Sequence, residues 1–214
     1  MNSLKNTQSG RIFIVGSGPS LTIETLESLK EEKCFGVCEI ARVFDKTEWR
    51  PDYVAFFDRN EHSVIPWLQK AADEGIQLFV SDRYKLDITG NVIFLSHWAG
   101  GIIDKTKEDI SIGIHAFGTV MHPAAQIAIW MGFTEIYFVG CDLGFEKENH
   151  HFYKDAVGWY KNNKALTKLR TARVILAHEL IKEWAERKGV KVYNATNGGE
   201  LEVYPRVRLE DVLC

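Results

Sequence analysis

A short apolar run that breaks off in polar, glycine-bearing residues and leads into a helical stretch recurs along this chain. Residues 12–15, 34–38, 53–57, 76–80, 91–95, 135–139 and 190–193 are such runs, rich in Ile, Val, Phe and Tyr. Runs this short and this uniformly apolar have the composition of strands buried on both faces. Between them, 21–30, 64–74, 118–131 and 166–187 have helical spacing or composition, with Gly75, Gly132 and Gly189 placed to stop three of them. Strands alternating with helices predict an α/β, Rossmann-like fold: an open, mostly parallel sheet with helices on both faces.

The polar residues cluster at one end of each run. The strand ends carry Gly16-Ser17-Gly18-Pro19-Ser20, Asp58-Arg59-Asn60, Ser81-Asp82-Arg83, Gly140-Cys141-Asp142 and Asn194-Ala195-Thr196-Asn197. In a parallel open sheet these carboxyl ends lie on a single rim, where ligands bind. At Gly16–Ser20 the glycines permit close approach, Pro19 suits a first helical position, and free amides at a helix start attract phosphate. The spacing is Gly-x-Gly-x-x, short of the third glycine of the dinucleotide fingerprint and distinct from a Walker loop.

Several residues have both a structural and a chemical reading. Asp142 and Asp58 follow buried strands, where a carboxylate either caps the next turn or is put to use. Thr119, after Gly118, either caps the buried helix at 118–131 or meets a ligand at its amide end. His150 and His151 precede Phe152 and Tyr153, and an imidazole with an ordinary pKa near 6.5 is a natural proton acceptor for a hydroxyl. Tyr153 and Tyr160 either bond a phosphate or pack. The bend at Asn194, Thr196 and Asn197 has amides and a hydroxyl suited to a base or sugar, and turn formation is its alternative. His115 and His122 are expected to pack or to support site residues from behind.

The 214 residues are read as one domain, 1–214, with 1–10 a loose lead-in and 96–117 and 146–164 as lid loops. The formal net charge of −3 gives no pull toward nucleic acid. There is no run long enough to span a membrane and no signal-peptide core at 1–11, so the expectation is a cytoplasmic protein. Cys34, Cys38, Cys141 and Cys214 are scattered and read as free thiols, with Cys38 inside a strand; no metal ligand set is identified.

Taken in order, Gly16-Ser-Gly-Pro-Ser-Leu21, Arg50-Pro-Asp-Tyr53 with Asp58, Gly118-Thr-Val120 leading to Met131-Gly-Phe133, Gly140-Cys-Asp142, His151-Phe152 and Asn194-Ala-Thr-Asn-Gly-Gly199 before Glu202-Val-Tyr-Pro-Arg206 resemble the 6-hydroxymethylpterin diphosphokinase MptE-like family. The chain is also distantly similar to the bacterial lipooligosaccharide sialyltransferases, which share a Gly-x-Gly-Pro-Ser loop. The first resemblance implies a Rossmann-like fold, with bacterial members tied to surface-polysaccharide assembly or flagellin glycosylation. The second implies a CMP-sugar donor and no metal.

Three positions depart from these patterns. An Asp-x-Asp-Gly magnesium motif is replaced by Phe57-Asp58-Arg59-Asn60, relatives often carry Asn where this chain has Glu39, and the sialyltransferase histidine falls near Thr171. The expected function is therefore a nucleotide-dependent transferase, a glycosyltransferase with a nucleotide-sugar donor and a glycan or small-alcohol acceptor, requiring no cofactor. Gly16–Ser20, Gly118, Thr119 and Gly140 are expected to hold the donor phosphates. Asn194, Thr196 and Asn197 would read the nucleotide, Asp142 would position a hydroxyl, and His151 would be the base. The alternatives are a diphosphokinase holding magnesium through Asp58 and Asp142, and a non-catalytic nucleotide-binding subunit of a glycan-assembly complex. Peripheral membrane association and a homo-oligomer are compatible with each.

Overall fold

A computed structural model describes residues 1–58, 61–98, 108–143, 151–153 and 164–214. Seven strands occur where the apolar runs lie: β1 Arg11–Val15, β2 Cys34–Val37, β3 Tyr53–Phe56, β4 Gln77–Ser81, β5 Val92–Leu95, β6 Glu135–Val139 and β7 Lys191–Asn194. They form one sheet in the order β5-β4-β3-β2-β1-β6-β7, with every pair parallel. The chain starts at β1, winds outward to β5, then crosses back to lay β6 on the other side of β1. The order reverses between β1 and β6, and a crevice opens at such a reversal.

Alternation within the strands builds two cores. Ile12 and Ile14 face one side with α3 (Met121–Met131) and α4 (Lys164–Arg187). Phe13 and Val15 face the other with α1 (Ile23–Ser28), α2 (Glu61–Asp73) and α5 (Leu209–Leu213). Every residue of α3 is buried, as its all-round apolar sequence requires. Among the described residues no helix is long and apolar enough to cross a membrane.

Several expectations change. Helix α1 starts at Ile23 rather than 21, because Thr22 Oγ1 accepts the Thr25 amide and so caps it; Pro19 lies in the preceding turn. Helix α3 starts at Met121, since Gly118 has a left-handed φ of +73° that no helix continues through. Cys38 lies beyond β2 with φ +53°, and all four cysteines are free thiols.

The lead-in at 1–10 is tied down. The Asn6 and Gln8 amides donate to Trp130 and Met131 carbonyls at the end of α3, and Trp130 Nε1 donates back to Met1 O. The expected lid at 96–117 is anchored in the core at two points, where Ile110 and Ile114 are fully buried and Ile114 bridges His97, while Ile112 between them is exposed. Residues 99–107 lie outside the described residues, as do His150, Tyr160, Arg59 and Asn60.

Candidate functional site

The turn after β6 is the hub of the rim. Gly140 takes φ +67°, and the chain on either side of Asp142 is gripped from two directions. From β1, the Gly18 amide donates to Gly140 O at 2.9 Å, while the Ser20 amide and hydroxyl donate to Asp142 Oδ1 and Oδ2 at 3.1 and 2.7 Å. From the β7 side, Thr196 Oγ1 accepts the Cys141 amide at 3.0 Å and the Glu200 amide donates to Asp142 O at 2.8 Å.

The glycines follow from this packing. A methyl group at Gly16 would lie 2.5 Å from Gly140 O, and one at Gly18 would lie 2.0 Å from Asp142 Oδ2. Both contacts are shorter than a carbon can tolerate, so the two strand-end turns can nest only where side chains are missing. Residues 151–153 dock on the same turn: the Phe152 amide donates to Ser17 O at 2.9 Å. Tyr153 is hydrogen-bonded to Ser17, and burial pushes its phenol pKa up.

A cleft of about 580 Å³ runs along this rim under α4. Gly16, Ser17, Gly18, Pro19, Asp58, Gly118, Thr119, Gly140, Asp142 and His151 all line it. The structure therefore gathers most of the expected site residues in one place. His151 lies flat on Tyr153, with ring centroids 5.0 Å apart and planes 2° apart.

Ser20 is spent on Asp142 and does not line the cleft. Asn194, Thr196 and Asn197 do not line it either. Asn194 is fully buried: its Nδ2 donates to Leu201 O, and its Oδ1 accepts the Thr196 amide. Thr196 is buried against Cys141, and Asn197 is exposed. Of these groups, the Thr196 hydroxyl ties the β7 turn to the β6 turn, and the Asn194 amide closes the bend on itself.

The cationic wall of the cleft has no counterpart among the expected residues. Arg170 and Arg173, three residues apart on α4, line it, with the buried, neutral His178 farther along the helix, and Arg83 lines it from beyond β4. Burial lowers the Arg170 pKa against the opposing attraction of the Asp58 carboxylate, and both residues line the cleft. The Arg173 guanidinium stands over the Phe117 ring at 5.3 Å.

Helix α4 comes so close here that a methyl at Gly118 would lie 2.5 Å from Arg173 O. The amide end of α3 thus opens into the cleft beneath the two arginines. Thr119 serves it locally, its Oγ1 accepting the Met121 amide at 3.3 Å. The sequence signal for the arginines is only their three-residue spacing on a long helix, which charged surface faces also show.

His178 sits at the cleft wall, buried. The Tyr204 hydroxyl donates to His178 O at 2.9 Å, so the 3.0 Å contact from its oxygen to Nδ1 accepts the ring proton. A magnesium ion held by carboxylates would need Asp58 and Asp142. Both line the cleft, and Ser20 already donates to each Asp142 oxygen.

The fold is similar to that of a MAf glycosyltransferase from Magnetospirillum magneticum AMB-1, with a TM-score of 0.58 and 20% identity over 95% of this chain. The match covers 34% of that protein, so the chain spans about a third of its length. A weaker likeness, with a TM-score of 0.41 and 12% identity, is to the sialyltransferase CstII from Campylobacter jejuni in complex with a substrate analogue, cytidine-5′-monophosphate; it covers 92% of this chain and 84% of that one. No curated protein matches the sequence. Residues 1–148, which carry β1 to β6 and the nested turns of the rim, match one family over their whole length. The chain belongs to the 6-hydroxymethylpterin diphosphokinase MptE-like family.

Proposed function

We propose that the chain is a nucleotide-dependent transferase, a glycosyltransferase that takes a sugar from a nucleotide-sugar donor of the CMP-sugar type in surface-glycan biosynthesis. The carrying observation is the junction of a rigid glycine turn, the amide end of α3, and Arg170 and Arg173 in one cleft at the sheet's reversal point. Preset donors and cations of this kind stabilise a departing phosphate, commonly the largest catalytic effect. In this reading the nucleoside lies toward the glycine turn and His151, and the phosphate sits under α4. Asp142 supports the turn by holding Ser20. Fold likeness to a glycosyltransferase agrees with this assignment.

Thermal-shift measurements with CMP-, UDP- and GDP-sugars, CTP and ATP test it. A true ligand at a hundred times its Kd adds about 2.7 kcal/mol of stability. For a chain of this size that raises Tm by roughly 5–10 °C. The expected result is a shift with a CMP-sugar or its nucleotide in EDTA. No shift from any nucleotide would instead indicate a subunit without nucleotide chemistry. Family membership favours one second reading, a diphosphokinase, which is recognised by AMP release that requires both ATP and magnesium.

A further inference from the structure

The cleft continues beyond Asp58 to the ends of β4 and β5, where Arg83, Tyr84 and His97 line it. Strands lie ~4.8 Å apart, so this end stands about 14–19 Å from the glycine turn, across three to four strand intervals. The geometry there is that of an oriented imidazole. Ser81, the last residue of β4, is fully buried, and its Oγ lies 2.7 Å from His97 Nδ1. Arg83 Nη1 lies 3.1 Å from His97 Nε2. A guanidinium can only donate, so Nε2 accepts and the ring proton resides on Nδ1, donated to Ser81.

The backbone is equally constrained. The Ile114 amide donates to Ser96 O and the Trp98 amide to Ile114 O, so His97 is held in a strand-like bridge to a fully buried residue. Burial, and then the Arg83 cation, pull the imidazole pKa below its ordinary value against the opposing Asp82 carboxylate, which favours an unprotonated Nε2. His151, by contrast, stacks on Tyr153 at the glycine-turn end, on the donor's side.

Resting on the transferase reading, we infer that the β4–β5 end of the cleft is the acceptor subsite, built for an anionic acceptor, and that His97 rather than His151 is its proton acceptor. Arg83 is exposed and held by a single neutral partner among the described hydrogen bonds. A carboxylate or phosphate on the incoming molecule forms a stronger, charge-assisted pair with it. Arg83 then leaves Nε2, which faces the acceptor hydroxyl. Tyr84, with its ring centroid 6.0 Å from that of His97, lines the same end of the cleft. In the transfer step the hydroxyl proton passes to Nε2 as the acceptor oxygen bonds the anomeric carbon. The carbon–oxygen bond to the donor phosphate breaks, and its electron pair leaves with the nucleotide under Arg170 and Arg173.

Two measurements test this. In histidine-detected NMR, methyl glucuronide is expected to shift the His97 ring signals, and methyl glucoside, its neutral counterpart, to leave them. Arg83→Gln should abolish the response. Equal effects of the two sugars, or none from either, overturn the anion subsite.

In turnover, His97→Asn keeps a donor for Ser81 and removes the Nε2 acceptor. It should leave the donor's thermal shift intact while lowering donor turnover about 100-fold or more. His97→Ala should regain part of that loss with imidazole in the buffer. Unchanged turnover in His97→Asn overturns the base assignment and leaves the transferase reading standing. A wild-type protein stabilised by no nucleotide overturns that reading and the base assignment together, while the NMR result still decides the subsite.

Discussion

Gly18 shows how a motif that reads as a ligand loop is first of all a packing device. Its φ lies outside the left-handed region, and what excludes a side chain is the Asp142 carboxylate 2.0 Å from where a methyl would stand. The obstacle is also held by two hydrogen bonds from Ser20, so it cannot swing away freely. Gly18→Ala is therefore expected to pry the β1 and β6 turns apart and to cost about 1–3 kcal/mol, as overpacking does. Urea denaturation measures this directly, and a variant as stable as the parent would contradict the nesting.

At the residue scale the sequence also left a choice open between turn formation and ligand contact. Asn194 and Thr196 have the chemistry of nucleotide contacts, yet their polar atoms are consumed by Leu201, Cys141 and each other. Local sequence does not reveal which way a turn residue faces.

Among the elements, α3 and the strand-like segment ahead of it depend on one buried side chain. Gln126 Oε1 accepts the His115 amide at 3.1 Å, and its Nε2 donates to the His115 and His122 carbonyls at 2.6 and 3.2 Å. It completes the backbone of 108–117 much as a neighbouring strand would. Gln126→Leu keeps the apolar bulk but strands a buried N–H and C=O, each worth about 1–3 kcal/mol when unpaired. The expected outcome is a lower denaturation midpoint together with faster exchange of the His115 amide. Slow exchange in the variant would show that the segment holds itself.

Helix α4 makes the complementary point. Its amphipathic pattern was legible, but its register over Gly118, which presents Arg170 and Arg173 to the cleft, follows from a backbone contact some fifty residues away in sequence.

At the scale of the whole molecule, two buried histidines, one in the cleft wall and one in the core, set the response to acid. His122 and His178 are 3% and 2% exposed, and burial pushes both pKa values down to about 3. In the unfolded chain a histidine titrates near ~6.5, so between these values the unfolded state holds more protons. Stability is then complete above pH ~6.5 and is lost as pH falls, by about 1.4 kcal/mol per pH unit for each histidine. Urea midpoints from pH 7 to pH 5 should decline accordingly, and the His122→Gln, His178→Gln double variant should flatten the decline. A parent profile already flat in that window would contradict the neutral, buried assignment.

What the chain alone determined is the sheet and its polarity. Apolar strands of this length must be covered on both faces, and polar residues survive only at their ends, so the rim was legible from residue order. The clamp on Asp142, the cationic wall under α4 and the Ser81–His97–Arg83 cluster were decided by tertiary structure. Each joins residues from separate elements whose relative orientation is set by packing of the two cores, and hydrogen-bond and charge geometry exists only once that packing has brought them together.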